Sequence, residues 1–312
     1  MRSYIAALFM GLVAIAGITS CSKDDDRNND YQPIEGKKGI LLVTFGSSYG
    51  YYDGEESSPY SYQKPKDTYD NILKEFKKAY PDEDIRMAYT SSIILNKLRK
   101  DGKANLDFPN EALKSMAKEG FSEITVQSLH IIPGAEFNEM NALVNEFKAE
   151  FPKVKVKIGN PLLSNSTDIQ NIANFLIAKY KAALEKNQAV VLMGHGNEKY
   201  PQYNAFYEKL QELIAKTKPE YNLYIGTVEG APTLNDVLAK LKAKSIAENK
   251  IILAPLMSIA GDHANNDMAS TNPESWKSVL EEAGFKVTPE LIGLGAYNEV
   301  VNVWITHKSA AL

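Results

Sequence analysis

Three residues of this chain have types and spacing that could do chemistry together: His195, Glu229 and His263, each 34 residues from the next. That interval is about one strand, one helix and their turns. Each residue follows a short apolar run: 189–194 before His195, 223–228 before Glu229 and 251–259 before His263. If the runs are neighbouring strands of one parallel sheet, their ends lie about 5 Å apart, so the three side chains can share an ion. Two imidazoles and a carboxylate suit a divalent first-row metal and leave coordination positions open. His195 sits between Gly194 and Gly196, where backbone can approach a ligand closely. Asp262 is placed to orient the His263 ring. Glu229 has a competing reading, as a carboxylate facing a helix amino terminus. His130, between Leu129 and Ile131, reads more readily as a buried, satisfied histidine than as a ligand. His307 falls in the last helix and is expected at the surface.

The elements that must hold these residues alternate between strand and helix. Residues 39–46, 85–90, 124–132 and 154–158 read as buried strands, and 66–79, 93–100, 111–119 and 136–151 as helices. Alternation of this kind implies an α/β fold with a parallel sheet covered on both faces. The pattern then starts again, with strands at 189–196, 223–228 and 251–259 and helices at 203–216 and 234–241. Residues 39–49 (GILLVTFGSSY) lie on 189–200 (AVVLMGHGNEKY), and 129–140 on 256–268 with one inserted residue. The expectation is therefore two similar Rossmann-like domains related by internal duplication, with a central cleft at the carboxyl ends of the strands. Overlaying the halves puts Phe45 opposite His195, Ser91 or Ser92 near Glu229, and Glu136 beside His263. Phe45, Ser47, Ser92, His130 and Glu136 are thus the first half's candidates for contacts to a bound molecule.

Composition narrows the function. The chain has 312 residues, 44% of them hydrophobic and 24% charged, enough apolar material for one large or two ordinary domains. Its formal net charge of −4 argues against a nucleic-acid partner. One cysteine and four histidines exclude a disulfide framework or a cysteine-rich zinc site within the chain. That cysteine, Cys21, follows a short basic start, an apolar run and the small residues Thr19 and Ser20, the pattern of a secretory signal rather than a membrane-spanning helix. The implied layout is a signal over 1–21, a polar tether over 22–37, α/β domains over 38–163 and 164–296, and a final helix over 297–312.

The segment from Ile18 to Cys21 resembles a bacterial lipoprotein signal. That resemblance implies a lipid on Cys21 and a membrane-anchored place in the cell envelope, on the periplasmic face or the outer surface. From about Lys38 onward the chain resembles the class II tetrapyrrole chelatases, specifically the CbiK family of anaerobic sirohydrochlorin cobaltochelatases. The residues carrying it are 39–49, Gln127-Ser128-Leu129-His130 with Pro133-Gly134, Met193-Gly194-His195-Gly196, Val228-Glu229-Gly230 and Gly261-Asp262-His263-Ala264. It implies a cleft that holds a planar tetrapyrrole, a final helix packed back on the first domain, His195, Glu229 and His263 as metal ligands, and His195 as the base. The reaction it implies is insertion of Co²⁺, with Ni²⁺ or Fe²⁺ as open alternatives, into sirohydrochlorin. No nucleotide is implied, since no Walker A pattern is present.

The chemistry agrees with that reading. Metal insertion displaces two pyrrole N–H protons, and imidazole is the side chain suited to accept one near neutral pH. A cell-envelope lipoprotein that binds haem, another tetrapyrrole or a metal with little catalysis is the alternative. A metal-dependent hydrolase ranks below both, for want of an HExxH helix. Because sirohydrochlorin is a polycarboxylate, the cleft of this acidic chain is expected to supply Lys, Arg and helix amino termini. Monomer and homo-oligomer are both left open.

Overall fold

A computed structural model of the protein describes residues 31–52 and 60–311. Cys21 and the whole of 1–30 lie outside the described residues, as does the centre of the tyrosine-rich stretch after the first strand. Gln32–Leu312 forms one compact unit.

The first sheet is built from a simple rule: runs buried on both faces become parallel strands. In chain order, β1 (Ile34–Thr44), β2 (Ser61–Tyr62), α1 (Pro65–Ala79), β3 (Asp84–Tyr89), α2 (Ser92–Lys100), α3 (Pro109–Lys118), β4 (Phe121–Ser128), α4 (Ala135–Glu150) and β5 (Lys155–Gly159) make up the first half. Ile40, Leu41, Leu42 and Val43 of β1 are wholly buried. The sheet runs β3-β1-β4-β5, all parallel. β1 begins at Ile34, which pairs with Phe121, so the end of the expected tether is strand rather than free chain.

The second half repeats the plan after a long helix, α5 (Ser166–Leu184). It continues with β6 (Ala189–Gly196), α6 (Ala205–Thr217), β7 (Asn222–Glu229), α7 (Leu234–Lys242), β8 (Lys250–Pro255), α8 (Trp276–Glu282), β9 (Lys286–Leu291) and α9 (Asn298–Ser309). Its sheet runs β2-β9-β8-β6-β7, so each half shows the same order: second strand, first, third, fourth. The equivalence extends to single residues. Gly46 and Gly196, which occupy matching places in the overlaid segments, both take positive φ, +100° and +78°. A Cβ on Gly196 would lie 2.1 Å from the Glu229 carbonyl, and one on Gly46 would lie 2.5 Å from the Tyr89 ring.

Two features cross between the halves. β2 pairs Ser61 with Glu290 and Tyr62 with Leu291, which adds a piece of the first half to the edge of the second sheet. α9 packs against β4, β5, α1 and α5, with Trp304 wholly buried, so the last helix does return to the first sheet. His307 on that helix is buried, against the surface position expected for it. Its Nδ1 faces the Asn160 carbonyl at 3.0 Å and its Nε2 the Asp168 carboxylate at 3.0 Å, tying α9 to the start of α5. Among the described residues no helix is long and apolar enough to cross a membrane.

Candidate functional site

A cavity of about 430 Å³ opens where the carboxyl ends of the strands of both sheets meet. That is within the usual range for a small-molecule site, roughly 300–1,000 Å³. The turn after β1 contributes Phe45, Ser47 and Tyr49, and the start of α2 contributes Ser91 and Ile93. The β4–α4 turn adds His130, Ile132 and Glu136, the end of β6 adds His195, and the segment after β8 adds Met257, Ile259 and His263. Phe45 is 52% exposed and Ile93 81%, although both are large and apolar. Exposed apolar side chains around a cavity mouth suit a flat, greasy ligand.

Both cavity histidines of the second half are oriented through Nδ1. Nδ1–H of His195 donates to the Gly196 carbonyl at 2.8 Å, and Nδ1–H of His263 donates to Asp267 Oδ2 at 2.6 Å. An imidazole that donates through Nδ1 keeps its lone pair on Nε2, so each ring offers one free nitrogen donor. Asp267, four residues along a short π-helical turn (Ala264–Met268), orients the His263 ring. Asp262, the residue expected in that role, instead accepts from Asn266 at 2.8 Å. The reason is geometric: side chains four apart share a helical face, whereas adjacent ones point away from each other.

The two rings meet edge to face, with centroids 4.7 Å apart and planes at 83°. With a metal–nitrogen bond of about 2.1 Å and about 1.1 Å from nitrogen to ring centre, two bound rings would have centroids about 4.5 Å apart at a right angle and about 5.2 Å at a tetrahedral one. The observed spacing falls between these values. Glu229 ends β7, register-paired with Gly196, and its carbonyl accepts from Asn204, but it is not among the residues lining the cavity. Among the described residues, no group of three His, Cys, Asp or Glu side chains stands close enough to hold a metal. The structure thus brings His195 and His263 together and leaves Glu229 one strand aside.

On the first half's side, Phe45, Ser47, His130 and Glu136 all line the cavity, while Ser91 lines it in place of Ser92. Ser91 caps α2 by accepting from the Ile94 amide, and Ser92 is the exposed first helical residue. His130 lies past the end of β4, which stops at Ser128 and not at Ile132. Burial pushes its imidazole down to about 4, although the Glu136 charge pulls the other way. Burial also holds the phenols of Tyr69 and Tyr207, two of the tyrosines lining the cavity, above their ordinary range, so these two stay neutral. Among the described residues none of the expected Lys or Arg lines the cavity, and the start of α2 and the start of α4 are what matches that expectation. Among the described residues, the charged carboxylates lining it are Glu136 and Asp262, an environment that favours a cation.

Comparison with known proteins gives a consistent result. The family model for cobalt chelatase (CbiK) matches residues 38–312. The sirohydrochlorin cobaltochelatase CbiKC of Nitratidesulfovibrio vulgaris is 36% identical over 276 residues, 88% of this chain and 91% of that one. The sirohydrochlorin cobaltochelatase of Salmonella typhimurium is 32% identical over 278 residues, 88% of this chain and 97% of that one. Among solved structures, the sirohydrochlorin chelatase SirB of Bacillus subtilis subspecies spizizenii in complex with cobalt superposes with a TM-score of 0.59. It is 13% identical, over 88% of this chain and 94% of that one. CbiX, from siroheme biosynthesis in denitrifying bacteria, gives a TM-score of 0.53 at 15% identity, over 88% and 99% of the two chains. These two likenesses establish the fold.

Proposed function

Because the chain belongs to the CbiK cobalt chelatase family, we propose that it is a sirohydrochlorin cobaltochelatase: an enzyme that inserts Co²⁺ into the free-base macrocycle without a nucleotide. The observation that carries the reading is the pair His195 and His263, each held through Nδ1 and with ring centroids 4.7 Å apart, in a cavity walled by exposed apolar side chains. Both the metal and the macrocycle are substrates here.

We assign His195 and His263 as ligands to the incoming ion and His195 as the proton acceptor. The ion first sits on the imidazole nitrogens, which hold it loosely enough for pyrrole nitrogens to compete. Co²⁺ bound to thiolates would leave far more slowly, and no cysteine lies in residues 22–312. As each pyrrole N–H bond breaks, its electron pair goes to the metal and its proton needs a base. When the ion leaves His195, Nε2 regains its lone pair and takes one of the two protons. The Gly196 carbonyl, already accepting from Nδ1–H, stabilises the imidazolium that results. Glu229 is assigned as the third ligand. Its backbone is fixed beside Gly196, so ligation by Glu229 requires its side chain to turn inward. The macrocycle lies against Phe45 and Ile93, with its carboxylates at the rim, away from Glu136 and Asp262.

We also propose that the protein is exported and lipidated at Cys21, which would place the catalytic unit in the cell envelope. The support is the Ile18-Thr19-Ser20-Cys21 segment after a short apolar run. Labelling cells with palmitate should mark the wild type and not Cys21→Ala; equal labelling removes the proposal.

The test of activity uses protein lacking residues 1–21, mixed with sirohydrochlorin and Co²⁺ while the absorption change is followed. The wild type should exceed the uncatalysed rate, and His195→Ala should fall to it. Identical traces for wild type, variant and buffer would sink the assignment.

A further inference from the structure

His130 is wired in the opposite sense to His195 and His263. The Ser128 hydroxyl lies 2.8 Å from His130 Nδ1 and already accepts from the His130 amide at 3.2 Å. Among the described residues, Nδ1 is the acceptor within reach of that hydroxyl proton, so Ser128 donates to it. A neutral imidazole that accepts at Nδ1 carries its proton on Nε2. His130 therefore presents an N–H where the other two cavity histidines present a lone pair. That Nε2 is buried and has no hydrogen-bond partner among the described residues.

A buried, unpaired N–H costs about 1–3 kcal/mol, which is rarely retained without use. The cavity holds a matching acceptor on the same connection. Glu136, in the first turn of α4, lines the same space, and no hydrogen bond to its carboxylate is formed among the described residues. Donor and acceptor are thus the two halves of a bond not yet made, six residues apart.

We propose that His130 is a positioning residue for Glu136: with a macrocycle in the cavity, Nε2–H donates to the Glu136 carboxylate and holds it towards the ring nitrogens, where it takes the second pyrrole proton. The step balances. A pyrrole N–H bond breaks, its electron pair forms the bond to Co²⁺, and the proton forms an O–H bond on Glu136. With the first proton on His195 Nε2, both protons displaced by the dication are placed. The inference rests on the chelatase reading and adds to it the destination of the second proton and the residues that direct it.

The test compares insertion kinetics and Co²⁺ binding for the wild type, His130→Ala, His130→Gln, Glu136→Gln and the double variant His130→Ala with Glu136→Gln. Glu136→Gln should lower kcat by about 100-fold or more, the usual range for losing a general base. His130→Ala should lower kcat about 10-fold with KM for sirohydrochlorin and Kd for Co²⁺ within twofold of the wild type. Gln places an N–H near the position of the histidine Nε2, so His130→Gln should recover most of the loss. The double variant should be no slower than Glu136→Gln, because a positioning group has nothing left to position. Losses that multiply, a rise in KM alone, or a His130→Gln as slow as His130→Ala would each overturn the inference. A wild type no faster than buffer would instead overturn the chelatase reading and, with it, the inference. Unchanged Co²⁺ affinity shows that the variants are folded.

Discussion

Replacing His307 by alanine should destabilise the protein without touching its chemistry. Both side chains of the His307–Asp168 pair are only 7% exposed, and both ring nitrogens of His307 face oxygen acceptors. Breaking a buried pair by removing one partner costs about 3–5 kcal/mol, because the other charge is left uncompensated. Asp168 would keep hydrogen bonds from the amide and hydroxyl of Ser164 and from Asn165, which sets the expectation at the lower end, about 3 kcal/mol. With an unfolding entropy of about 2.1 cal/mol/K per residue over Gln32–Leu312, that is a fall in Tm of about 5 °C. The pH dependence follows from Asp168. Burial raises its carboxyl, but the bonds from His307 and Ser164 outweigh it and hold the group below its ordinary 3.8. A depressed folded-state value contributes stability that is complete above about 3.8 and fades as pH falls through the folded value. The share of the gap that comes from Asp168 should therefore be complete at pH 5 and narrow below about 4. Thermal unfolding by circular dichroism across that range measures it, with insertion at 25 °C as the control. A His307→Ala midpoint within 1 °C of the wild type would refute the reasoning.

Three further outcomes are expected at the cavity. Asp267→Ala leaves the His263 ring unoriented and should weaken Co²⁺ binding about 10–100-fold by calorimetry, the usual cost of losing a carboxylate behind a ligating histidine. Phe45→Ala removes an exposed ring at the cavity mouth and should raise KM for sirohydrochlorin about 3–10-fold with Co²⁺ affinity unchanged. Gly196→Ala forces a side chain onto φ +78° and against the Glu229 carbonyl. It should cost at least about 2 kcal/mol in urea unfolding, and a neutral effect would contradict the geometry.

Most of the fold was legible because buried parallel strands are continuous apolar runs, and Gly46 and Gly196 marked their shared end. α5 was missed although Asn165 and Asp168 form a capping box and Ile169, Ile172, Ala173, Leu176 and Tyr180 repeat at helical spacing. α8 and β9 were missed as well. β9 (KVTPEL) mixes charged and polar residues with a proline, as a strand near a sheet edge can, with only two-residue β2 beyond it. The strand at 251–259 ends at Pro255, since apolar residues past that point line the cavity rather than extend the sheet.

Order along the chain carries periodicity, glycine positions and the recurrence of one strand plan, and these are local properties that need no partner to be visible. From them came the α/β class, the duplication and the strand end where His195 stands. Hydrogen-bond partners are different, because they depend on which atoms distant segments bring within 3 Å. Asp267 rather than Asp262 orients His263, His307 is sealed against Asp168 rather than exposed, and Glu229 lies outside the cavity lining. The proton on His130 Nε2 belongs with these: Ser128 is two residues away in sequence, but only the turn after β4 aims its hydroxyl at Nδ1.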